Sequence, residues 1–186
     1  MNSIIEYDKA LFLFLNSLGN ETWDGFWLAV TNTYTAVPLY AVLLFLTVRR
    51  FGVKSALVIV LLVALMITGT DQLANAFKYG FERLRPCHDE TVMHAMRLVK
   101  PHCGGKFGFF SAHAANSSAV AAFFSLVFAK HYSVLPLLLT MWAILVAYSR
   151  IYIGVHYPLD VITGMSVGML AGWLFYTLKN KVENRI

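Results

Sequence analysis

The sequence has few charged residues, few prolines and only two cysteines. Charged side chains make up 13% of its 186 residues, whereas hydrophobic residues make up 58%. Soluble domains are usually about 25% charged, and a soluble domain of this length could not bury so much apolar surface. The composition therefore excludes an ordinary soluble protein and predicts one integral membrane domain, residues 1–186.

The chain also lacks a continuous basic surface and a cleavable signal. Its formal net charge is +5, but Lys and Arg residues lie at the ends of apolar segments, so we expect no nucleic-acid partner. The first apolar stretch, Leu11–Leu18, follows charged residues and is not followed by a small-residue cleavage site. We therefore expect no signal peptide. Nothing in the sequence indicates an obligate protein partner.

Long apolar segments account for most of the chain. A helix that crosses a bilayer needs about 20 apolar residues, and five segments meet or approach that length. They are Phe26–Val48, Val53 to about Phe77, Ala112–Ala129, Val134 to about Tyr148, and Pro158–Leu178. We predict an all-α, polytopic transmembrane helix bundle with about five spans.

The first 18 residues are too short, and too polar at their start, for an ordinary span. Their apolar residues recur at helical spacing, which predicts an amphipathic helix lying in the membrane interface. A sixth short span is the alternative interpretation. The apolar residues are Leu11, Phe12, Phe14, Leu15 and Leu18.

Basic residues in the short loops predict the orientation. With five spans, three basic clusters fall on one side, which should be cytoplasmic. These clusters are Arg49, Arg50 and Lys54; Lys130; and Lys179, Lys181 and Arg185. The segment 78–111 then lies on the extracytoplasmic side, although it is also basic. A functional need for positive charge in this segment would explain the exception.

Both cysteines, Cys87 and Cys103, fall in this outer segment. An oxidising compartment favours a disulfide between them, and closing such a loop would add about 3 kcal/mol of stability in the chain-entropy model. Two unpaired thiols are an alternative. A zinc site with His88, His94 and His102 is another, although the spacing matches no tight ligand pattern.

A first group of chemically useful residues lies at the end of the second span. Lys78 and Arg85 are seven residues apart, about two helical turns, so they would share one helix face. Pro86 would end the helix. Two cations on one face suit a multiply charged anion, and a guanidinium can bind phosphate through two nitrogens. The alternative is two interfacial cations with an internal Lys78–Glu82 pair.

A second group opens the third span. Ser111 is a suitable N-cap, and a helix N-terminus offers free N–H groups to an anion. His113, in the first turn, could act as a general acid. The alternative is a capping serine followed by an interfacial histidine.

A third group lies between the fourth and fifth spans. Asp160 falls in the first turn of the fifth span, four residues after His156, close enough to orient one imidazole nitrogen. The other nitrogen is then free to act as a nucleophile. Arg150 supplies a third cation, and charged residues near membrane depth are functional candidates. The alternative is a structural Arg–Asp pair beside a histidine with satisfied hydrogen bonds.

With these three groups of residues, the chain resembles the type 2 phosphatidic acid phosphatase (PAP2) family, which shares its site with vanadium haloperoxidases. The family's first motif is Lys, six residues, Arg-Pro, and Lys78 and Arg85-Pro86 match it fully. The third motif is Ser-Arg, five residues, His, three residues, Asp, and residues 149–160 match it fully. The resemblance implies a PAP2/haloperoxidase-like helical core.

The family's second motif, Pro-Ser-Gly-His, is only partly kept. It reads Phe110-Ser111-Ala112-His113 in this chain, so the serine and the histidine remain. Glycine allows an oxyanion to approach the backbone closely, and a methyl group at Ala112 would narrow that approach. We expect activity, with an altered substrate range or a reduced rate.

The resemblance implies a mechanism without a metal or another cofactor. His156 would attack phosphorus and form a phosphohistidine, Asp160 would orient His156, and His113 would protonate the leaving group. The phosphoryl oxygens would be held by Lys78, Arg85, Ser111, Ala112 and Arg150. No metal ligands are expected at the site.

The resemblance also implies a lipid substrate in the bilayer. Compact family members dephosphorylate undecaprenyl pyrophosphate, phosphatidylglycerophosphate, phosphatidic acid or lipid A, and the sequence does not choose among them. A bacterial inner-membrane location with a periplasmic site would fit. The alternatives are a lipid phosphotransferase using the same site, and a degenerate member that binds anionic lipid without turnover. A soluble haloperoxidase does not fit.

Overall fold

The computed structural model describes residues 2–183, so Arg185 of the third basic cluster lies outside this range. These described residues form six α-helices: α1 (Asn2–Ser17), α2 (Glu21–Thr31), α3 (Val37–Phe81), α4 (Ala112–Phe128), α5 (Leu135–Tyr152) and α6 (Pro158–Glu183). Between residues 2 and 183 there is no strand beyond one isolated bridge. Helices α3, α5 and α6 are long and apolar enough to cross a bilayer, and α4 is apolar but shorter. The all-α transmembrane bundle is confirmed.

Helix α3 consists of two arms that fold back on each other at Gly52. Gly52 has φ 80° and ψ 171°, a conformation that a residue without Cβ adopts easily. Leu43 from the first arm and Ile59 from the second lie in one buried cluster. A straight helix of 45 residues would be about 67 Å long, twice the thickness of a bilayer core. The two arms therefore account for two of the five predicted spans.

The predicted start of the first span was wrong. Residues from Phe26 onward do not continue into α3, because α2 ends at Thr31 and a short 3₁₀ helix, Thr33–Ala36, intervenes. The Asn32 side chain accepts a hydrogen bond from the Tyr34 backbone N–H and begins the new turn. A polar cap in an otherwise apolar run ends the first helix there, and the span starts at Val37.

Helix α4 lies at the centre of the bundle and packs most closely on α6. Its alanines and serines are largely buried, and glycines of α6 face it at intervals of four residues. A Cβ added at Gly164 would lie 2.5 Å from the Ser111 carbonyl oxygen, and one at Gly172 would lie 2.6 Å from the Ala119 carbonyl oxygen. Small residues allow this close approach of two membrane helices. The first turns of α4 and α6 are consequently side by side.

The predicted basic clusters lie together at one end of the bundle. Phe51, beside Gly52, has its ring centroid 5.5 Å from that of His131 in the α4–α5 loop. Lys179, near the end of α6, lies 5.3 Å from the same Phe51 ring. The opposite end therefore carries the first turns of α4 and α6 and the long outer segment.

Helix α1 packs across this opposite end. It has 16 residues, about 24 Å, which is shorter than a usual span. Leu11, Phe14 and Leu18 are exposed, whereas Phe12 is fully buried. An exposed apolar side on a short helix agrees with the interfacial position predicted for it.

Candidate active site

A cavity of about 540 Å³ opens at the end of the bundle that carries the outer segment. It lies among the second arm of α3, the first turn of α4, the end of α5 and the α5–α6 turn. Six of the predicted site residues line it: Lys78, Arg85, Ala112, His113, Arg150 and His156. Three separate sequence motifs therefore meet at one cavity.

Lys78 and Arg85 both line this cavity, but their arrangement differs from the one predicted. They do not share a helix face, because α3 ends at Phe81 and Glu82 adopts a left-handed conformation with φ 48°. Lys78 also does not pair with Glu82; its Nζ lies 3.4 Å from Asn75 Oδ1. The chain beyond Glu82 turns back over the helix end, and this turn directs Arg85 into the cavity.

Arg85 is held in place by backbone carbonyl groups of the outer segment. Its Nε donates to the Phe107 carbonyl oxygen at 3.1 Å, and its Nη1 donates to the Cys103 carbonyl oxygen at 3.0 Å. Cys87 and Cys103 are joined by a disulfide, which ties the two parts of this segment together. The guanidinium therefore has a fixed position while it remains open to the cavity.

The start of α4 places its motif residues in two different environments. His113 and Ala112 line the cavity. Ser111 is completely buried, and its Oγ accepts a long hydrogen bond, 3.5 Å, from the Ala114 backbone N–H. Ser111 is therefore the N-cap of α4 and is not among the cavity-lining residues. Phe110 is also completely buried, with its ring against Phe77.

Arg150 reaches the cavity from the last turn of α5. Only 5% of the residue is exposed, and one guanidinium nitrogen donates to the Thr31 hydroxyl group. Its Nε has no hydrogen-bond partner within residues 2–183. A buried cation with a free donor has the property needed to bind an oxyanion.

His156 and Asp160 form a buried pair in which His156 lines the cavity and Asp160 lies behind it. His156 Nδ1 lies 3.5 Å from Asp160 Oδ2, which is within ion-pair distance but beyond the usual length of an N–H···O hydrogen bond. Within the described chain, Nδ1 has no hydrogen-bond partner. Catalytic hydrogen bonds are often long before the substrate binds. With Nδ1 toward the carboxylate, Nε2 is the nitrogen available to the cavity.

The electrostatics of the cavity are dominated by positive charge. Burial, reinforced by the charges of Arg150 and Arg85, holds the pKa of His156 well below its usual range. Burial and the same two arginines also lower the pKa of Lys100, another cavity residue. Cations that repel one another in this way stabilise a bound anion, and a neutral His156 retains the lone pair needed for attack.

Several polar residues of the site were missed in the sequence. Asp71 and Asn116 line the cavity, and the Asn116 side-chain amide donates to Asp71 Oδ1 at 2.8 Å. Asn116 Oδ1 in turn accepts a hydrogen bond from the Thr70 hydroxyl group. Polar residues inside apolar segments were the available signal, since such residues are rarely lipid-facing.

A group of metal-binding residue types occurs only in the outer segment. Within residues 2–183, Cys87, His88 and Cys103 place one potential ligand atom each within 4.8 Å of the others. The two sulfur atoms are bonded to each other, and a disulfide does not supply thiolate ligands. His94 and His102, which the zinc alternative also considered, are not part of this group.

Comparisons with known proteins agree with the motif pattern. The sequence profile of the PAP2 superfamily matches residues 56–183. The chain is 38% identical to lipid A 4'-phosphatase of Bacteroides thetaiotaomicron over 183 residues, which cover 97% of this chain and 80% of the relative. It is 36% identical to lipid A 4'-phosphatase of Porphyromonas gingivalis over 179 residues, which cover 95% of this chain and 74% of the relative.

The architecture also matches a solved structure. A transmembrane PAP2-type phosphatidylglycerolphosphate phosphatase from Bacillus subtilis superposes with a TM-score of 0.77. The match covers 98% of this chain and 89% of the other, at 21% sequence identity. At this identity the likeness describes the fold.

Proposed function

Since the chain belongs to the PAP2 superfamily and is a membrane lipid phosphatase, we propose that it hydrolyses a lipid A-type phosphomonoester through a phosphohistidine formed on His156. One observation carries the proposed mechanism. Four cationic side chains line a single cavity together with His113 and His156, and the buried Asp160 carboxylate lies behind His156. This arrangement supports transfer of a phosphoryl group to a neutral histidine.

The first half of the reaction forms the phosphohistidine. His156 Nε2 attacks phosphorus, and the bond between phosphorus and the lipid oxygen breaks. His113 gives a proton to the departing alkoxide as a general acid. Asp160, on the Nδ1 side of the imidazole, compensates the positive charge that the ring gains as the new P–N bond forms.

The second half releases phosphate. Water attacks phosphorus and gives a proton to His113, the P–N bond breaks with its electron pair returning to Nε2, and His156 returns to its neutral form while His113 regains its acid form. Throughout both halves the phosphoryl oxygens carry negative charge, and the side chains of Lys78, Arg85 and Arg150 neutralise it. The backbone N–H groups at the first turn of α4, around Ala112, add donors from a helix N-terminus. These protein groups can supply the charge compensation without a metal ion.

The substrate assignment is supported by the two lipid A 4'-phosphatases, which resemble the chain along nearly its whole length. The cavity also contains groups that suit a sugar phosphate better than a plain alkyl phosphate. The hydrogen-bonded pair of Asp71 and Asn116 lines the cavity. A carboxylate and an amide offer an acceptor and a donor to the hydroxyl groups of a glucosamine ring.

The proposed location of the site is the periplasmic side of a bacterial inner membrane. The basic clusters at the opposite end of the bundle favour a cytoplasmic position for that end. The disulfide at the site end is typical of an oxidising compartment.

The direct test is phosphate release from a substrate panel in detergent. Purified protein would be incubated with lipid A, phosphatidylglycerophosphate, phosphatidic acid and undecaprenyl pyrophosphate, with the His156→Ala variant as the matched control. We expect the highest kcat/KM for lipid A and no turnover by the variant. Comparable rates on all four lipids would contradict the substrate assignment, and turnover by His156→Ala would contradict the mechanism.

The same assay separates the two alternative functions. A phosphotransferase would consume the lipid phosphate only when a second acceptor is present, and the phosphoryl group would then be found on that acceptor instead of as free phosphate. A lipid-binding member without catalysis would bind the panel but release nothing. The replacements at Phe110 and Ala112 are the features that would account for that second outcome.

A further inference from the structure

The buried face of α1 consists of Asp8, Phe12 and Asn16, which are spaced four residues apart. The exposed fractions of these residues are 5%, 0% and 1%. Two of the three are polar, which is unusual for the packed side of an amphipathic helix. All three contact the segment that contains His156 and Asp160, or residues next to it.

Asp8 uses both carboxylate oxygens in this contact. Oδ1 accepts a hydrogen bond of 2.9 Å from the backbone N–H of Leu159, in the first turn of α6. Oδ2 accepts from Arg83 Nη2 at 2.5 Å. Asp8 therefore caps the helix that carries Asp160, although it is about 150 residues away in the sequence.

Arg83 connects Asp8 to the catalytic carboxylate. Its other terminal nitrogen, Nη1, donates to Asp160 Oδ1 at 2.7 Å, and the Asp160 side chain is completely buried. Asp160 Oδ2 accepts from the Tyr157 backbone N–H at 3.0 Å and faces His156 Nδ1 at 3.5 Å. One guanidinium is thus shared between two buried carboxylates, and one of them orients the nucleophile.

The rest of the α1 face supports the same turn. The Phe12 ring packs on the Tyr157 ring with 5.3 Å between the two centroids. The guanidinium carbon of Arg83 lies over the same Tyr157 ring, 4.6 Å from its centroid. The Asn16 side-chain amide donates to the carbonyl oxygens of Ile151 and Tyr152, at 3.2 and 2.9 Å. Helix α1 therefore holds the α5–α6 turn at both of its ends.

We propose that Asp8 is a positioning residue for the His156–Asp160 pair, acting through Arg83, so that α1 forms part of the catalytic structure. This inference rests on the proposed function, in which Asp160 orients His156. The negative charge of Asp8 neutralises part of the positive charge of Arg83. Without it, Arg83 would pair with Asp160 alone, and the carboxylate would stabilise a positively charged His156 ring less well.

The test uses Asp8→Asn, which has nearly the same shape and keeps an acceptor for the Leu159 N–H. Its kcat should fall by about tenfold, the lower end of the roughly 10- to 100-fold loss found when an outer partner of a metal-binding histidine is removed. Its KM should change by less than about twofold, because Asp8 is not among the cavity-lining residues. The matched control is Glu6→Gln, which removes the same charge from an exposed position on the same helix and should leave both constants unchanged.

A second variant keeps the proposal testable if Asp8→Asn does not fold, as judged by thermal unfolding and gel filtration. Arg83→Lys retains the charge but has one nitrogen, which cannot bridge two carboxylates, so its kcat should fall at unchanged KM. An unchanged kcat in either folded variant, or a rise in KM alone, would overturn the positioning role. If wild type is active, His156→Ala is inactive and Asp8→Asn matches wild type, only this inference fails. If His156→Ala retains turnover, the proposed mechanism fails, and the positioning role fails with it.

Discussion

The close packing of α4 on α6 predicts that Gly164→Ala will impair both stability and catalysis. The added Cβ would lie 2.5 Å from the Ser111 carbonyl oxygen and 3.3 Å from the Ala114 Cβ. Comfortable contacts between such atoms are about 3.5 Å, so the two helices must separate by roughly 1 Å. Forcing an extra methyl group into a packed interface costs about 1–3 kcal/mol.

The catalytic effect follows from which residues the two helices carry. Ser111 caps α4 two residues before His113, while Gly164 lies one turn after Asp160. Separation of the helices therefore moves the proposed acid relative to the proposed nucleophile. A misplacement of about 1 Å in a catalytic group can cost about 100-fold in rate, and we expect kcat to fall by about 10- to 100-fold.

The assay compares phosphate release and thermal unfolding of Gly164→Ala with those of Gly69→Ala. Gly69 lies in the second arm of α3, and a Cβ added there has no heavy atom within 4 Å in the described chain. The control should keep wild-type activity and an equal or higher midpoint, because alanine favours a helix over glycine by about 1 kcal/mol. Wild-type activity and stability in Gly164→Ala would refute the reasoning.

Four further predictions concern the mechanism and the orientation. His113→Ala should lose about 10²–10⁴-fold on lipid alkyl phosphates and much less on an aryl phosphate with an acidic phenol. His156→Ala should lose both activities, and equal losses in His113→Ala would exclude His113 as the acid. Activity should survive EDTA and be blocked by vanadate, and loss with chelator that Mg²⁺ or Zn²⁺ restores would contradict the mechanism. Since the pKa of His156 is lowered in the free protein, its reactive neutral form persists as the pH falls. The acid limb of kcat/KM, which reports ionisations of the free enzyme, should therefore lie below the usual imidazole pKa of about 6.5, and a limb at or above that value would contradict this prediction. A membrane-impermeant thiol reagent should label Cys87 and Cys103 from outside only after reduction. Labelling without reductant would exclude the disulfide. Labelling that occurs only after the cytoplasmic face is opened would show that the predicted topology is reversed.

The sequence predicted those site residues whose roles depend on short-range spacing. His156 and Asp160 are four residues apart, and the first turn of a helix brings them within 3.5 Å of each other. The same local reasoning failed for Lys78 and Arg85. A seven-residue spacing predicts a shared face only while the helix continues, and the left-handed conformation of Glu82 ends it. Both cations still reach the cavity, because the outer segment fixes Arg85 through carbonyl groups that spacing does not reveal.

The spans were predicted from the lengths of the apolar segments. The predictions failed where a polar residue within an apolar segment was disregarded. Asn32 divides the first apolar segment into two helices because its side chain can satisfy a free backbone N–H. Asp71 and Asn116 are likewise polar residues in apolar surroundings, and both line the cavity. In each case one polar side chain marked a structural feature that the average hydropathy of the segment concealed.

Helix α1 shows why the positions of individual polar residues are more informative about packing in a bilayer than in water. In a soluble protein the apolar stripe of a helix is its packed face. On α1, Leu11 and Phe14 are exposed, while Asp8 and Asn16 are buried. Lipid is as apolar as the protein core, so apolar residues lose little by facing it, whereas buried polar groups require protein partners. The polar residues of a membrane-associated helix therefore identify the side that packs, and on α1 that side holds the turn bearing His156 and Asp160.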